Sequence, residues 1–147
     1  MDAADIVEIN QLLARYGHLI DAGSWERFDE VFVPDAVLDY RNCSMNVLDV
    51  LHGLDAVVAV FRAANHPSAH HCTNVYVYED DGAVRVKSKW FVPYTRERHQ
   101  PHRWYGGDYD DVVTRTEAGW RIQSRTCTAR WQYTTDPEPL PAGRHTW

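Results

Sequence analysis

The sequence predicts an α+β fold in which helices from the first half pack on one face of a curved antiparallel sheet made by the second half. Three observations predict it. Apolar residues recur at helical spacing as far as Ala64. From Ala69 the period becomes that of strands, rich in β-branched and aromatic residues. Two turn-forming stretches, Asp80-Asp81-Gly82 and Glu117-Ala118-Gly119, then separate runs long enough to pair as hairpins. Helices first and long strands after them is the α+β layout.

Ile6, Ile9, Leu12, Leu13, Tyr16, Leu19 and Ile20 define one face of a helix from about Ala3 to Asp21. Gly23 ends it, since glycine tolerates the left-handed turn that follows helices. Ser24 is placed to cap a short second helix carrying Trp25, Phe28, Val31 and Phe32, and Pro34 is expected to stop it. Val37 to Arg41 reads as a short strand, and Asn42 to His52 as less regular chain. Gly53 to Ala64 is a third helix with Leu54, Val57, Val58 and Phe61 inward. Ala69 to Glu79 and Ala83 to Tyr94 form one hairpin. Thr95 to Arg103 is polar and reads as a loop or frayed strand end. Tyr105 to Arg115 and Trp120 to Trp131 form the second hairpin. The three prolines at 137, 139 and 141 make regular structure beyond Thr134 unexpected. The expectation is one domain over 1–133 with an irregular tail over 134–147.

The whole chain has 147 residues, a common size for one domain. Its net charge of −6 and the lack of a basic stripe exclude nucleic acid as the main partner. Met1 to Glu8 lacks the basic and apolar regions of a signal peptide. No apolar run approaches the ~20 residues that span a bilayer, so no membrane partner is expected. Cys43, Cys72 and Cys127 are odd in number and widely spaced, as thiols in a reducing cytoplasm would be. Six Trp and eight Tyr are many for a small core. Their apolar bodies and polar tips suit the walls of a small-molecule pocket.

Several phrases resemble the SnoaL-like branch of the nuclear-transport-factor-2 (NTF2-like) superfamily. Ala14 to Tyr40, "ARYGHLIDAGSWERFDEVFVPDAVLDY", looks like the opening of such proteins. His70 to Val86, "HHCTNVYVYEDDGAVRV", is similar to their H-x-x-T/S-N strand and hairpin. Gly119 to Trp131, "GWRIQSRTCTARW", looks like their last strand. The resemblance implies a cone-shaped fold with one deep pocket. It is nearest to scytalone dehydratase, the bile-acid dehydratase and the dehydrochlorinase, which use an Asp–His pair and no metal. Carried over by position, the Asp is Asp21 and the His is His70. Tyr40 matches a substrate-binding tyrosine of scytalone dehydratase. Tyr94 stands where that enzyme has a second histidine, and Ile20 replaces a tyrosine. These departures argue against scytalone dehydratase itself.

A carboxylate that accepts an imidazole N–H fixes the tautomer and favours the imidazolium once a proton is taken. His70 could then remove a proton beside a carbonyl or leaving group and return it to a departing hydroxyl. Tyr16, Tyr40 or Tyr94 could donate to the carbonyl oxygen as charge grows. Each residue also has an ordinary reading. Asp21 could be a plain helix-end residue, although a carboxylate there opposes the helix dipole. His70 could be a hydrogen-bonded core histidine. His71 is a rival, since neighbouring strand residues face opposite sides. Tyr40 and Tyr94 could simply be wall. Asp108 is a candidate for the pocket, but the cluster Asp108, Asp110 and Asp111 could equally be a solvated hairpin edge. His66, His99 and His102 lack zinc-site spacing, so no metal or cofactor is expected.

The reading that follows is a cofactor-independent lyase or isomerase, in the first place a dehydratase, acting on a small apolar or aromatic metabolite. The alternative is a non-catalytic small-molecule-binding protein or the small subunit of a ring-hydroxylating dioxygenase. The resemblance also implies a homo-oligomer, trimer or dimer, joined through the open face of the sheet.

Overall fold

The computed structural model describes residues 1–43, 47–64, 69–94 and 102–135. Helix α1 (Ala3–Ala22) begins at a capping box. Asp2 accepts the Asp5 N–H at 2.9 Å, and Asp5 accepts the Asp2 N–H at 3.0 Å. Ile9, Leu12, Leu13, Tyr16, Leu19 and Ile20 are its buried stripe, while Ile6 is 42% exposed. Gly23 closes α1 in the left-handed region, φ 63°, and the Ser24 N–H reaches back to the Leu19 carbonyl at 3.0 Å.

The second helix is a 3₁₀ segment, Trp25–Glu30, and the Ser24 side chain makes no capping bond to it. It is shorter than the apolar pattern implies. Phe32 and Pro34 belong to strand β1 (Phe32–Asn42) instead of ending a helix. Pro34 is tolerated because it lies between Phe32 and Val37, where the pairing of β1 with its neighbour shifts register and a missing N–H is not needed. Strand β2 is only Leu51–His52. Helix α2 (Leu54–Ala63) buries Val57 and Phe61.

Strands β3 (His71–Asp80) and β4 (Ala83–Tyr94) join at a tight turn with φ 49° at Asp81 and 76° at Gly82. That is the type I′ geometry that an Asp-Gly pair favours. Strands β5 (His102–Thr116) and β6 (Gly119–Thr135) form the long second hairpin. β6 runs through Thr134 and Thr135, the first two residues of the segment expected to be irregular. Residues 136–147 lie outside the described residues.

The sheet order is β2-β1-β6-β5-β4-β3. One pairing departs from the antiparallel expectation: β1 runs parallel to β6, so the sheet is mixed. Irregularities at Gly106/Gly107 and Val112/Val113 in the β5–β6 ladder add bend and twist. At the first, a Cβ on Gly107 would stand 1.9 Å from the Thr128 carbonyl oxygen, so only glycine fits there.

The two faces differ sharply. On the inner face, under α1 and α2, Val86, Trp90 and Val92 of β4 join Tyr109 and Val113 of β5 and Ile122 and Cys127 of β6. On the outer face Lys87 and Lys89 lie opposite Asp110 and Asp108. Farther along that face stand Trp104, Trp131 and Tyr133, at 38%, 47% and 62% exposure. No helix among the described residues is long and apolar enough to cross a membrane.

Candidate active site

Asp21 lies in the last turn of α1, one turn beyond Gly17. His70 lies just ahead of β3. Two local features bring them together. Gly17 lets the helix approach the strand entry, since a Cβ there would stand 3.0 Å from the His70 carbonyl oxygen. Ala69 takes φ 92°, an uncommon region for a residue with a side chain, and redirects the chain into His70.

The contact is close. His70 Nδ1 lies 2.6 Å from Asp21 Oδ1. The His70 main-chain N–H also donates to both carboxylate oxygens, at 3.1 and 3.0 Å. An ionised carboxylate can only accept, so this arrangement holds the ring proton on Nδ1 and makes Nε2 the basic nitrogen. The His70 side chain is 9% exposed and that of Asp21 26%. Burial lowers the His70 pKa from its ordinary 6.5, and the Asp21 bond and charge offset this only in part. The ring is therefore neutral at neutral pH, the form a general base needs.

Tyr16 connects this pair to the interior. Its ring stands edge-on to His70, with centroids 6.4 Å apart, and edge-on to Tyr109 at 6.0 Å. Its hydroxyl lies 3.3 Å from the Tyr40 hydroxyl. Both tyrosines are 1% exposed. Burial raises the Tyr16 pKa to about 12 and that of Tyr40 well above its ordinary value, so both remain hydrogen-bond donors. Burial also raises the Cys72 thiol to about 11, so at neutral pH it is a poor nucleophile. Cys127 moves the same way, again chiefly by burial.

Beneath Tyr16 lies an ion pair that the sequence reading did not single out. Arg125 Nε and Nη2 donate to Asp111 Oδ1 and Oδ2, each at 2.8 Å. Both side chains are 0% exposed. The guanidinium carbon lies 4.3 Å from the centre of the Tyr16 ring and 4.0 Å from that of Tyr109. Burial opposes its charge, yet Asp111 more than compensates and holds the Arg125 pKa well above its ordinary value.

Other candidates are placed elsewhere. His71 turns outward: its Nδ1 meets the Ala69 carbonyl at 2.8 Å and its ring stacks on Phe91 at 4.2 Å. The candidate that rivalled His70 for the pocket and for substrate binding thus stands on the other face, as strand alternation requires. Asp108 is on the outer face, opposite Lys89, because Tyr109 and Asp111 occupy the inward phase of β5. Its carboxylate takes Lys89 Nζ and Arg130 Nε, and these bonds hold its pKa below the ordinary value. It stands on the outer face of the sheet, opposite the one that α1 covers. Tyr94 pairs with Arg103 through its strand, but its side chain lies outside the described part. The same holds for the His102 side chain, and residues His66 and His99 lie outside altogether. No group of three metal-ligating side chains comes together among the described residues.

Residues 1–126 match the model of the SnoaL-like domain family, and the chain belongs to that family. An uncharacterized protein of Mycobacterium tuberculosis is 32% identical over 140 residues, covering 89% of each chain. Among solved structures, a candidate aromatic ring hydroxylase from Novosphingobium aromaticivorans superposes with TM-score 0.75 at 23% identity. That match covers 92% of this chain and 96% of the other. A candidate scytalone dehydratase from the same organism superposes with TM-score 0.71 at 17% identity, over 96% of each chain. At these identities the structures establish a shared fold: an NTF2-like α+β architecture with a curved mixed sheet of six strands.

Proposed function

We propose that this protein is a cofactor-independent lyase or isomerase, in the first place a dehydratase, acting on a small apolar or ring-containing metabolite. His70 removes a proton from carbon next to a carbonyl or leaving group. Asp21 holds the ring tautomer and stabilises the imidazolium. Where the product is an alkene, the same proton returns to the departing hydroxyl, which leaves as water. Of the bonded Tyr16 and Tyr40 hydroxyls, the one whose proton is not spent on the other donates to the oxygen on which charge grows. Acid–base help of this kind is worth roughly 10²–10⁴ in rate.

The single observation that carries the reading is the 2.6 Å Nδ1–Oδ1 contact between His70 and Asp21. A structural neighbour named as a candidate scytalone dehydratase is in keeping with it. The test is turnover on ketone and β-hydroxy-ketone panels by wild type, Asp21→Asn and His70→Ala. Both variants should unfold at urea midpoints near that of wild type and lose turnover by at least about 100-fold. Wild-type turnover in either would end the assignment.

A second reading has one observation in its favour. The Asp21 carboxylate also takes the His70 main-chain N–H, as a purely structural latch would. On that reading the chain is a non-catalytic binding protein or the small subunit of a ring-hydroxylating dioxygenase, and Asp21→Asn lowers stability without affecting any turnover. In either case the half-exposed Trp104, Trp131 and Tyr133 make the outer sheet face the proposed contact between copies of the chain.

A further inference from the structure

A cleft of about 410 Å³ lies between the first part of α1 and the β5–β6 turn. Neither Asp21, His70, Tyr16 nor Tyr40 lines it. Its volume is that of small-molecule sites. Leu12 and Trp120 give it an apolar floor, and Val7, 61% exposed, is an uncovered aliphatic wall. Arg15, Arg115 and Arg121 line it against a single carboxylate, Glu8. That makes a cationic spot on a chain whose net charge is −6.

The three arginines are not equally matched. Arg115 Nη1 meets Asp5 at 2.5 Å and Glu8 at 3.1 Å, so its charge is answered. Arg121 pairs with no carboxylate among the described residues. Its Nε donates to the Asp29 carbonyl at 2.7 Å, and its Nη1 to those of Ala118 and Trp120 at 3.1 and 2.9 Å. Neutral carbonyls fix a guanidinium in place without cancelling its charge. Arg121 Nη2 makes no hydrogen bond among the described residues, and it is not one of the buried atoms left without a partner, so solvent reaches it. Arg15 has only a weak hold on a carboxylate. Glu30 lies 3.7 Å from its Nε, and the same carboxylate takes Arg27 at 2.6 and 3.2 Å. Arg15 Nη1 reaches the Glu30 carbonyl at 3.4 Å, next in the chain to the Asp29 carbonyl that holds Arg121. The two under-matched guanidiniums are therefore neighbours, anchored on consecutive peptide groups at the end of the 3₁₀ segment.

We propose that this cleft is a binding site for a small aromatic carboxylate, with the ring on Val7, Leu12 and Trp120 and the carboxylate between Arg121 Nη2 and Arg15. The site is separate from the Asp21–His70 pair and stands whether or not that pair is catalytic. Charge and surface together choose the ligand. A guanidinium offers forked N–H groups that match a carboxylate, and such charge-assisted bonds are stronger than neutral ones. A neutral ring would gain the apolar contacts but leave both cations unanswered. Inorganic phosphate would answer the cations but leave the apolar wall in water. An aromatic acid uses both halves of the cleft.

The test is ¹H–¹⁵N NMR titration of the full chain with 1-naphthoate, 1-naphthalenemethanol and inorganic phosphate. Naphthoate should bind at least about fivefold more tightly than either of the others. Its shifts should centre on the amides of Gln11, Ala118 and Gly119, which line the cleft. Its affinity should fall at least about threefold between about 20 mM and about 300 mM NaCl, because solvent-exposed charges are screened. Arg121→Met should weaken naphthoate at least about fivefold. Arg121 also ties the β5–β6 turn to the 3₁₀ segment, so a second variant guards against a loss of folding. Arg15→Gln changes a side chain that is 43% exposed and should weaken naphthoate at least about twofold. Shifts centred on Gly17 and His70, no saturable binding of naphthoate, equal affinity for the three probes, tightest binding of phosphate, or an affinity unchanged in Arg15→Gln would each overturn the proposal.

Discussion

Arg125→Met is the perturbation whose cost follows most directly from the structure. The guanidinium and the Asp111 carboxylate are both 0% exposed and share two bonds of 2.8 Å. Methionine fills part of the volume but leaves the carboxylate buried without its partner. Breaking such a pair from one side costs roughly 3–5 kcal/mol. A domain of this kind has only about 5–15 kcal/mol in total. At about 2–4 °C per kcal/mol for a chain near this length, the melting temperature should fall by roughly 6–20 °C. Urea unfolding at neutral pH measures the free energy, and calorimetry the temperature. Replacing both partners, as in Asp111→Leu/Arg125→Met, strands no charge and should recover most of the loss, since apolar replacement of a buried pair is often near neutral. A single variant that loses less than about 1 kcal/mol, or a double variant no more stable than the single, would refute the account of this pair.

Three further outcomes are expected. Gly17→Ala gains up to about 1 kcal/mol of helix propensity, but its Cβ would stand 3.0 Å from the His70 carbonyl and push that residue off Asp21. Its urea midpoint should therefore stay near that of wild type while proton-transfer activity drops by about tenfold. The His70 pKa is lowered in the fold, so the unfolded chain binds that proton more readily. Its contribution to stability is complete above pH 6.5 and is lost as pH falls below that value. A stability–pH curve should show this slope in wild type and less of it in His70→Asn, and kcat/KM should rise through an apparent pKa below 6.5. Asp108→Asn removes the two outer-face ion pairs to Lys89 and Arg130 and should change stability by under about 1 kcal/mol in urea unfolding.

The helices and hairpins were legible because their signals are local. The left-handed Gly23 and the Asp81-Gly82 turn each act within a few residues. The parallel pairing of β1 with β6 was not legible, since it joins segments about 90 residues apart and leaves no mark in either. The Arg125–Asp111 pair was hidden for a definite reason. Counting in twos from buried Ile122 puts Ser124 and Thr126 inward and Arg125 outward. The register shift between Ile122 and Ser124 adds one residue and reverses that phase, so Arg125 and Cys127 face the core. Asp108 shows the opposite case. Its neighbours Tyr109 and Asp111 hold the inward phase, and alternation alone would have placed it outside. His70 and Asp21 were legible only through the phrases they sit in, because no spacing rule links a helix end to a strand entry 49 residues on.

The most direct test of the central claim is α-proton exchange of 1-tetralone in D₂O, followed by ¹H NMR. The claim is that Asp21 and His70 form a working general base. Wild-type protein should deplete the signal of the protons next to the carbonyl at least about 100-fold faster than His70→Ala or Asp21→Asn, with both variants still folded. Equal rates in all three proteins, with tetralone bound, would show that the pair is a structural latch and that the chain is not an acid–base enzyme.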